Sequence, residues 1–193
     1  MRGAPNRGDQ GVIRIRGAAE TDAPAIADLH GRSFRATYPN LPKTMEGTKN
    51  GSRQRVELWT NRLQKPVADC GVLVAEDRGR IQGFVYSGPT RDTDDDPRRT
   101  GQVFSIHVDP PAWGAGVGSD LLDNAVANLR SSGFEDATLW VVDENRRARM
   151  FYEARGWKLD GGRRKETLAV GHSDGDEVDV IRYRRQLITG GDR

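Results

Sequence analysis

Three glycines alternate at Gly114, Gly116 and Gly118 in the stretch Ser105-Ile-His-Val-Asp-Pro-Pro-Ala-Trp-Gly-Ala-Gly-Val-Gly-Ser-Asp-Leu-Leu122. Residues of β type precede them and a helical pattern follows. The first amides of a helix have no intrahelical acceptor, and the helix dipole adds partial positive charge at the same end. Glycines there remove Cβ atoms, so a bulky phosphate can meet several N–H groups at once without any basic side chain. The chemistry offered is diphosphate binding. A dinucleotide turn needs GxGxxG directly after its strand, whereas here the third glycine follows after two residues instead of three, and five residues separate Val108 from Gly114. An ATP-binding loop ends in GK[ST], and none is present. A connector that binds nothing is the plain alternative for a lone motif this short.

Other chemistries are poorly supplied. His30, His107 and His172 lie far apart, without the HExxH spacing that puts two ligands on one helix face, so no metal is expected. Cys70 is the only cysteine, which excludes an intramolecular disulfide and a cysteine-rich metal cluster and fits a reducing, cytoplasmic setting. The net charge of +2 gives no large positive excess to recruit nucleic acid or a membrane surface. His107 has the right ordinary pKa for proton transfer, near 6.5, but a half-buried strand position would also account for it.

The elements that must position these residues follow from periodicity. Val12 to Arg16 alternates as a strand, and Thr21 and Asp22 offer N-cap oxygens to a helix with Pro24 in its first turn and Ile26, Leu29 and Phe34 on its buried stripe. A second helix is expected over Ser52 to Leu63, with Trp59 and Leu63 as core neighbours. Val72–Glu76 and Ile81–Tyr86 are strands joined by Asp77-Arg-Gly-Arg80, a hairpin length. Arg91 to Thr100 has no apolar anchor and is expected as an exposed, solvated acidic loop. Val103–Val108 is a strand whose alternation places Phe104, Ile106 and Val108 on one face and Ser105 and His107 on the other. Apolar residues at 121, 122, 125, 126 and 129 mark one face of a helix that Gly133 ends. Ala137–Val142 is an almost wholly apolar, hence central, strand, and Asn145–Arg155 is a helix closed by Gly156. A last hairpin is expected between Trp157–Leu159 and Val178–Leu187, around a polar insertion from Gly161 to Asp176. The 193 residues make one domain over 11–189, with tails at 1–10 and 190–193. The first ten residues have no following apolar run and are not a signal peptide.

The block VxPxxWGxGVGxxLL, followed downstream by Leu139-Trp-Val-Val-Asp-Glu-Asn-Arg-Arg-Ala-Arg-Met-Phe-Tyr-Glu-Ala-Arg-Gly-Trp157, resembles the GNAT superfamily of acyl-CoA-dependent N-acyltransferases. Its NxRAxxFYExxGF pattern is met by Asn145, Arg147, Ala148, Phe151, Tyr152, Glu153, Gly156 and Trp157. The resemblance covers Val103 to Leu159 closely. It implies an α/β GNAT fold: a mixed, mostly antiparallel sheet with helices on both faces and a V-shaped splay between strands four and five. It implies acetyl-CoA as acyl donor, with the main chain of Ile106, His107 and Val108 along the pantetheine arm and Gly114, Ala115, Gly116, Val117, Gly118 and Ser119 around the diphosphate. Trp113 stands where relatives often carry Gln or Arg. The resemblance also places Asn145 on the donor arm and makes Tyr152 the general acid that returns a proton to the departing thiolate.

The base is the gap in the pattern. Gln102 and Trp140 occupy positions where branches of the family carry glutamate, which leaves His107, Asp109, Glu76 or a water chain. Phe34, Tyr38 and Trp59 lie where relatives build the acceptor pocket and are pocket candidates, although aromatics at helical spacing are usually core. The expected reaction is acetyl transfer to a primary amine of a small molecule through a ternary complex. Trp140 argues against a ribosomal-protein or N-terminal peptide acceptor. An acyl-CoA-binding sensor with little catalysis is the alternative, followed by a dinucleotide oxidoreductase. A homodimer stays open, since the oligomeric state is not written in these residues.

Overall fold

Among the described residues there are seven strands: β1 Arg14–Gly17, β2 Gly71–Asp77, β3 Arg80–Pro89, β4 Thr100–Val108, β5 Asp136–Val142, β6 Lys158–Leu168 and β7 Asp176–Gln186. The computed structural model describes residues 13–39, 49–168 and 176–187. The expected tails at 1–10 and 190–193, and residues 169–175 of the polar insertion, lie outside these. The strands form one sheet in the order β1-β2-β3-β4-β5-β7-β6, in which only β4 and β5 run parallel.

Among the described residues four α-helices cover the sheet: α1 Ala23–Thr37, α2 Lys49–Gln64, α3 Val117–Ser131 and α4 Arg146–Glu153. Leu121, Leu122, Ala125 and Leu129 of α3 and Tyr152 of α4 bury against Val85, Val103, Leu139, Val141 and Ile181 on one face. Ile26 and Leu29 of α1 and Trp59 of α2 bury against Val74, Phe84 and Tyr86 on the other. Each helix thus commits its apolar stripe to the sheet. Asp22 precedes α1, but its carboxylate turns back to accept from Ala19 N (2.8 Å) and to pair with Arg16 (2.6 Å), so it does not cap the helix by side chain as expected. No helix among the described residues is long and apolar enough to cross a membrane.

The β2–β3 hairpin turns at Arg78 and Gly79, both with positive φ (49° and 75°), the twist a two-residue connection needs. The β6–β7 hairpin is longer than expected: β6 runs on through the polar segment to Leu168, paired with Asp176, with a register shift between Leu159 and Arg163. Its lysines and arginines hid the strand, because an edge strand with two exposed faces has no apolar alternation to show.

The feature that makes room for a site is a bulge. Tyr86 pairs with Ser105 and Ser87 with Val103, so Phe104 is an extra residue in β4. One inserted residue reverses side-chain facing beyond it. Phe104 therefore lies beside Tyr86 (ring centroids 4.8 Å) on the α1–α2 face with His107, and not with Ile106 and Val108 as simple alternation predicts. The parallel β4–β5 pairing ends at the same place. It runs from Thr100↔Asp136 to Val103↔Leu139, and from Phe104 to Val108 the β5-facing edge of β4 has no strand partner. The two strands part there.

The acidic loop is not the free, solvated segment its composition predicts. Asp92 is buried and accepts from Trp140 Nε1 (2.9 Å), Gln102 Nε2 (3.1 Å) and Arg164 Nη1 (2.8 Å). Arg182, on β7, reaches Asp94 and Asp160 at 2.8 Å each, and Arg184 reaches Asp95 (2.8 Å) and Asp136 (2.6 Å). The loop is bolted across the β5–β7 surface that no helix covers. Removing one member of a buried charge network leaves its partners uncompensated, at about 3 kcal/mol. Asp92→Ala should lower the urea-unfolding free energy by about that much, while Arg98→Ala at the exposed tip should leave it within error.

Candidate active site

β4 ends at Val108, and a 3₁₀ turn at Pro110–Ala112 leads to the glycines. Gly114 and Gly116 have φ of +83° and +90°, and a Cβ at either would meet nothing within 4 Å. The first property demands glycine, and the second leaves open space over the turn. Gly118 differs: a Cβ there would point at Phe151 and Val108, 3.5 Å away, so this glycine sits against the protein. Gly116 caps α3 without any side-chain hydrogen bond, and the Ser119 and Asp120 amides turn back to its carbonyl. Among the described residues the amides of Gly114, Gly116, Val117 and Gly118 have no acceptor. Four unpaired donors at a helix mouth are groups an anion could accept from.

Trp113 is tied down. Its indole donates to the Val108 carbonyl (2.9 Å), and the Arg147 guanidinium lies 3.7 Å over its ring. A cation from α4 is thereby parked beside the turn, where the sequence motif had shown only the loss of a polar residue. Ser119 accepts from the Arg155 guanidinium, itself stacked on Phe151 at 4.0 Å.

Along the open edge of β4, Ile106 and Val108 pack toward α3. His107 turns the other way, stacked on Phe84 (5.1 Å), 4.4 Å from the His30 ring and 3.3 Å from Ser33 Oγ. Burial pushes its pKa down to about 4, so the imidazole is neutral at pH 7. Ser105 Oγ, beside the bulge, is buried without a partner.

Tyr152 is only 7 % exposed, its ring 5.2 Å from Phe151 and 6.2 Å from Trp157. Its hydroxyl has no hydrogen-bond partner among the described residues, and it is not one of the sealed polar atoms. Burial raises its pKa, with the Tyr38 phenol adding to the effect, so it holds its proton at neutral pH. Asn145 connects the two sides of the opening. Its Oδ1 caps α4 by accepting from Ala148 N (3.0 Å), while its Nδ2 donates to the Tyr38 hydroxyl (3.2 Å) at the end of α1. Tyr38 also contacts Phe34 (5.1 Å). The structure thus gathers Tyr38, Asn145 and Tyr152 near one another.

The acetyltransferase (GNAT) family matches residues 25–157. The chain belongs to this family. It is similar to the mycothiol acetyltransferase of Propionibacterium freudenreichii (37 % identical over 101 residues, 51 % of this chain and 31 % of that protein). It is also similar to the mycothiol acetyltransferase of Geodermatophilus obscurus (32 % over 137 residues, 71 % of this chain and 41 % of that protein). The chain spans less than half the length of these curated relatives. Its fold matches the PaiA N-acetyltransferase of Thermoplasma acidophilum, solved with coenzyme A, with a TM-score of 0.64 and 16 % identity over 91 % of this chain and 99 % of that one.

In this GNAT chain the carboxylates weighed as bases are occupied. Asp109 is buried and accepts both Arg32 Nε (3.1 Å) and Nη2 (2.8 Å), and Glu76 pairs with Arg16 (2.6 Å). Gln102 spends its amide on Asp92 and its carbonyl on Arg91 N (3.2 Å). The sequence marks Arg147 and Ser105 only as a pattern residue and as a strand neighbour of His107, with no role in the site. Arg147 belongs to the family pattern, but nothing in its spacing announces a Trp113 partner, and no local signal marks Ser105 as unpaired.

Two measurements test this geometry. Gly116→Ala forces a left-handed alanine and should cost about 1 kcal/mol of stability, whereas Gly118→Ala, with ordinary contacts, should be nearly neutral. The His107 imidazole binds a proton below about 6.5 when unfolded but only near 4 when folded. Its contribution is therefore complete above the unfolded value and lost as pH falls toward the folded one. The urea midpoint of the native chain should drop more steeply across that window than that of His107→Gln; parallel curves would count against the assignment.

Proposed function

We propose that the chain transfers an acetyl group from acetyl-CoA to a primary amine of a small molecule, with both substrates bound together. The reading is carried by one juxtaposition: the partnerless β4 edge from Phe104 to Val108 opens directly onto four unpaired amides at the start of α3. The residues present fit the donor. Open space over Gly114 and Gly116 admits a diphosphate, with Arg147 alongside as counter-charge, and the free strand edge offers main-chain groups at Ile106, His107 and Val108 to an amide-bearing arm. Acetyl-CoA supplies an activated acyl thioester when bound.

The chain's own groups do the rest. β4 amides polarise the thioester carbonyl as charge develops on its oxygen. Nitrogen attack forms the C–N bond and breaks the C–S bond, and the Tyr152 hydroxyl, kept protonated by burial, donates its proton to the departing sulfur. Asn145 holds the donor arm through the second N–H of its amide. Because burial leaves His107 weakly basic, water takes the proton from the amine and restores the phenol. Phe34 and Tyr38 line the acceptor side. The small-molecule acceptor is supported by the mycothiol acetyltransferases among the relatives and by Trp140, whose indole is committed to Asp92 where an acidic base would otherwise stand.

Removing a positioned acid slows transfer by about 100-fold. Thiol release from acetyl-CoA with a panel of small amines should fall by that order in Tyr152→Phe, with CoA affinity changed less than about twofold. An unchanged rate would remove Tyr152 from the mechanism.

A further inference from the structure

Tyr86 carries two guanidinium groups. Arg62 Cζ lies 4.9 Å from its ring centroid and 4.9 Å from that of Trp59, and Arg91 Cζ lies 5.5 Å from Tyr86 while donating to its hydroxyl (2.8 Å). Neither arginine has a carboxylate partner among the described residues. Other arginines of this chain behave differently: Arg16, Arg32 and Arg182 each close on two or more carboxylates. Arg62 is the more costly of the pair. Desolvation makes it less basic than an ordinary arginine, and the nearby Arg91 charge pushes in the same direction. A half-buried cation beside a second cation, faced by aromatic rings, the Tyr86 phenol and the Cys70 thiol but by no carboxylate among the described residues, gains stability when an anion arrives.

There is space for one. Arg62 lines a cavity of about 440 Å³ with Asn61, Lys65, Cys70, Val72 and Tyr86. The cavity lies between the end of α2 and the start of β2, and none of its walls belongs to residues 104–119, so it is separate from the glycine turn. We propose that this cavity is an anion site in which Arg62 receives the carboxylate or phosphate group of a small molecule. Lys65 at the wall adds a second positive charge, Asn61 and Tyr86 add polar groups, and Val72 adds an apolar wall. The site stands independently of the transfer reaction.

The test uses the full chain labelled with ¹⁵N-arginine, titrated separately with inorganic phosphate and with succinate while the Arg62 Nε–H resonance is followed. A saturable shift with at least one probe is expected. A phosphate-only response assigns a phosphate ligand, and a succinate-only response a carboxylate. Arg62→Met should abolish protection of the chain by the effective probe, yet leave the melting temperature of the free chain unchanged or raised, because an apolar side chain replaces an unpaired charge. No saturable shift with either probe, or a fall of several degrees in Arg62→Met, would overturn the proposal, the latter by making the guanidinium structural. Displacement of the probe by acetyl-CoA would also overturn it, by assigning the cavity to the donor.

Discussion

A single surplus residue in β4 governs the architecture of this GNAT-family chain. With Phe104 inserted opposite β3, the strand bends away from β5 just past Val103, and hydrogen-bonding groups that a continuous sheet would consume are left facing a gap. Unpaired backbone groups are costly when buried, so the gap persists because it faces solvent or a ligand able to pair with it. The helices are placed to suit. α3 begins at the far end of the open edge, and α4 begins just after β5, so the cradle and the phenol both reach the gap from one sheet face while α1 approaches from the other.

The site depends on donors and on one proton more than on ionised side chains. Its carboxylates are neutralised by arginines, its imidazole is neutral, and its phenol is protonated. What remains near the gap is main-chain N–H, the hydroxyls of Tyr38 and Tyr152, and a guanidinium resting on Trp113. Such an arrangement suits a reaction in which negative charge appears briefly, first on a carbonyl oxygen and then on sulfur. In the proposed reaction the attacking amine then loses its proton to the solvent.

Much of this was written locally in the chain. The α3 stripe, the Asp77–Arg80 hairpin and the glycine turn each rest on periodicity or on a backbone conformation that few residues accept, and the two family blocks supplied their order in space. Features that depend on distant partners were not readable. The acidic loop looked solvated because the arginines that hold Asp92 lie 72 and 90 residues farther on. The bulge has no glycine or proline to betray it, so alternation put Phe104 on the wrong face. Asp22 has the composition of a cap, but Arg16 six residues earlier outbids the helix for its carboxylate. Of the site residues, Tyr152 and Asn145 came from the family pattern, whereas the link from Asn145 to Tyr38 spans 107 residues and needed the fold.

The outer margins of the sheet bear on how the protein behaves in concentrated solution. An exposed strand margin invites a neighbouring molecule to add its own strand, and charge or brevity discourages this. β1 has four residues, two of them arginine, and β6 carries Lys158, Arg163, Arg164 and Lys165. Both rims are therefore poor templates for intermolecular stacking, and the bare stretch of β4 lies between two inner strands of the sheet, away from either rim.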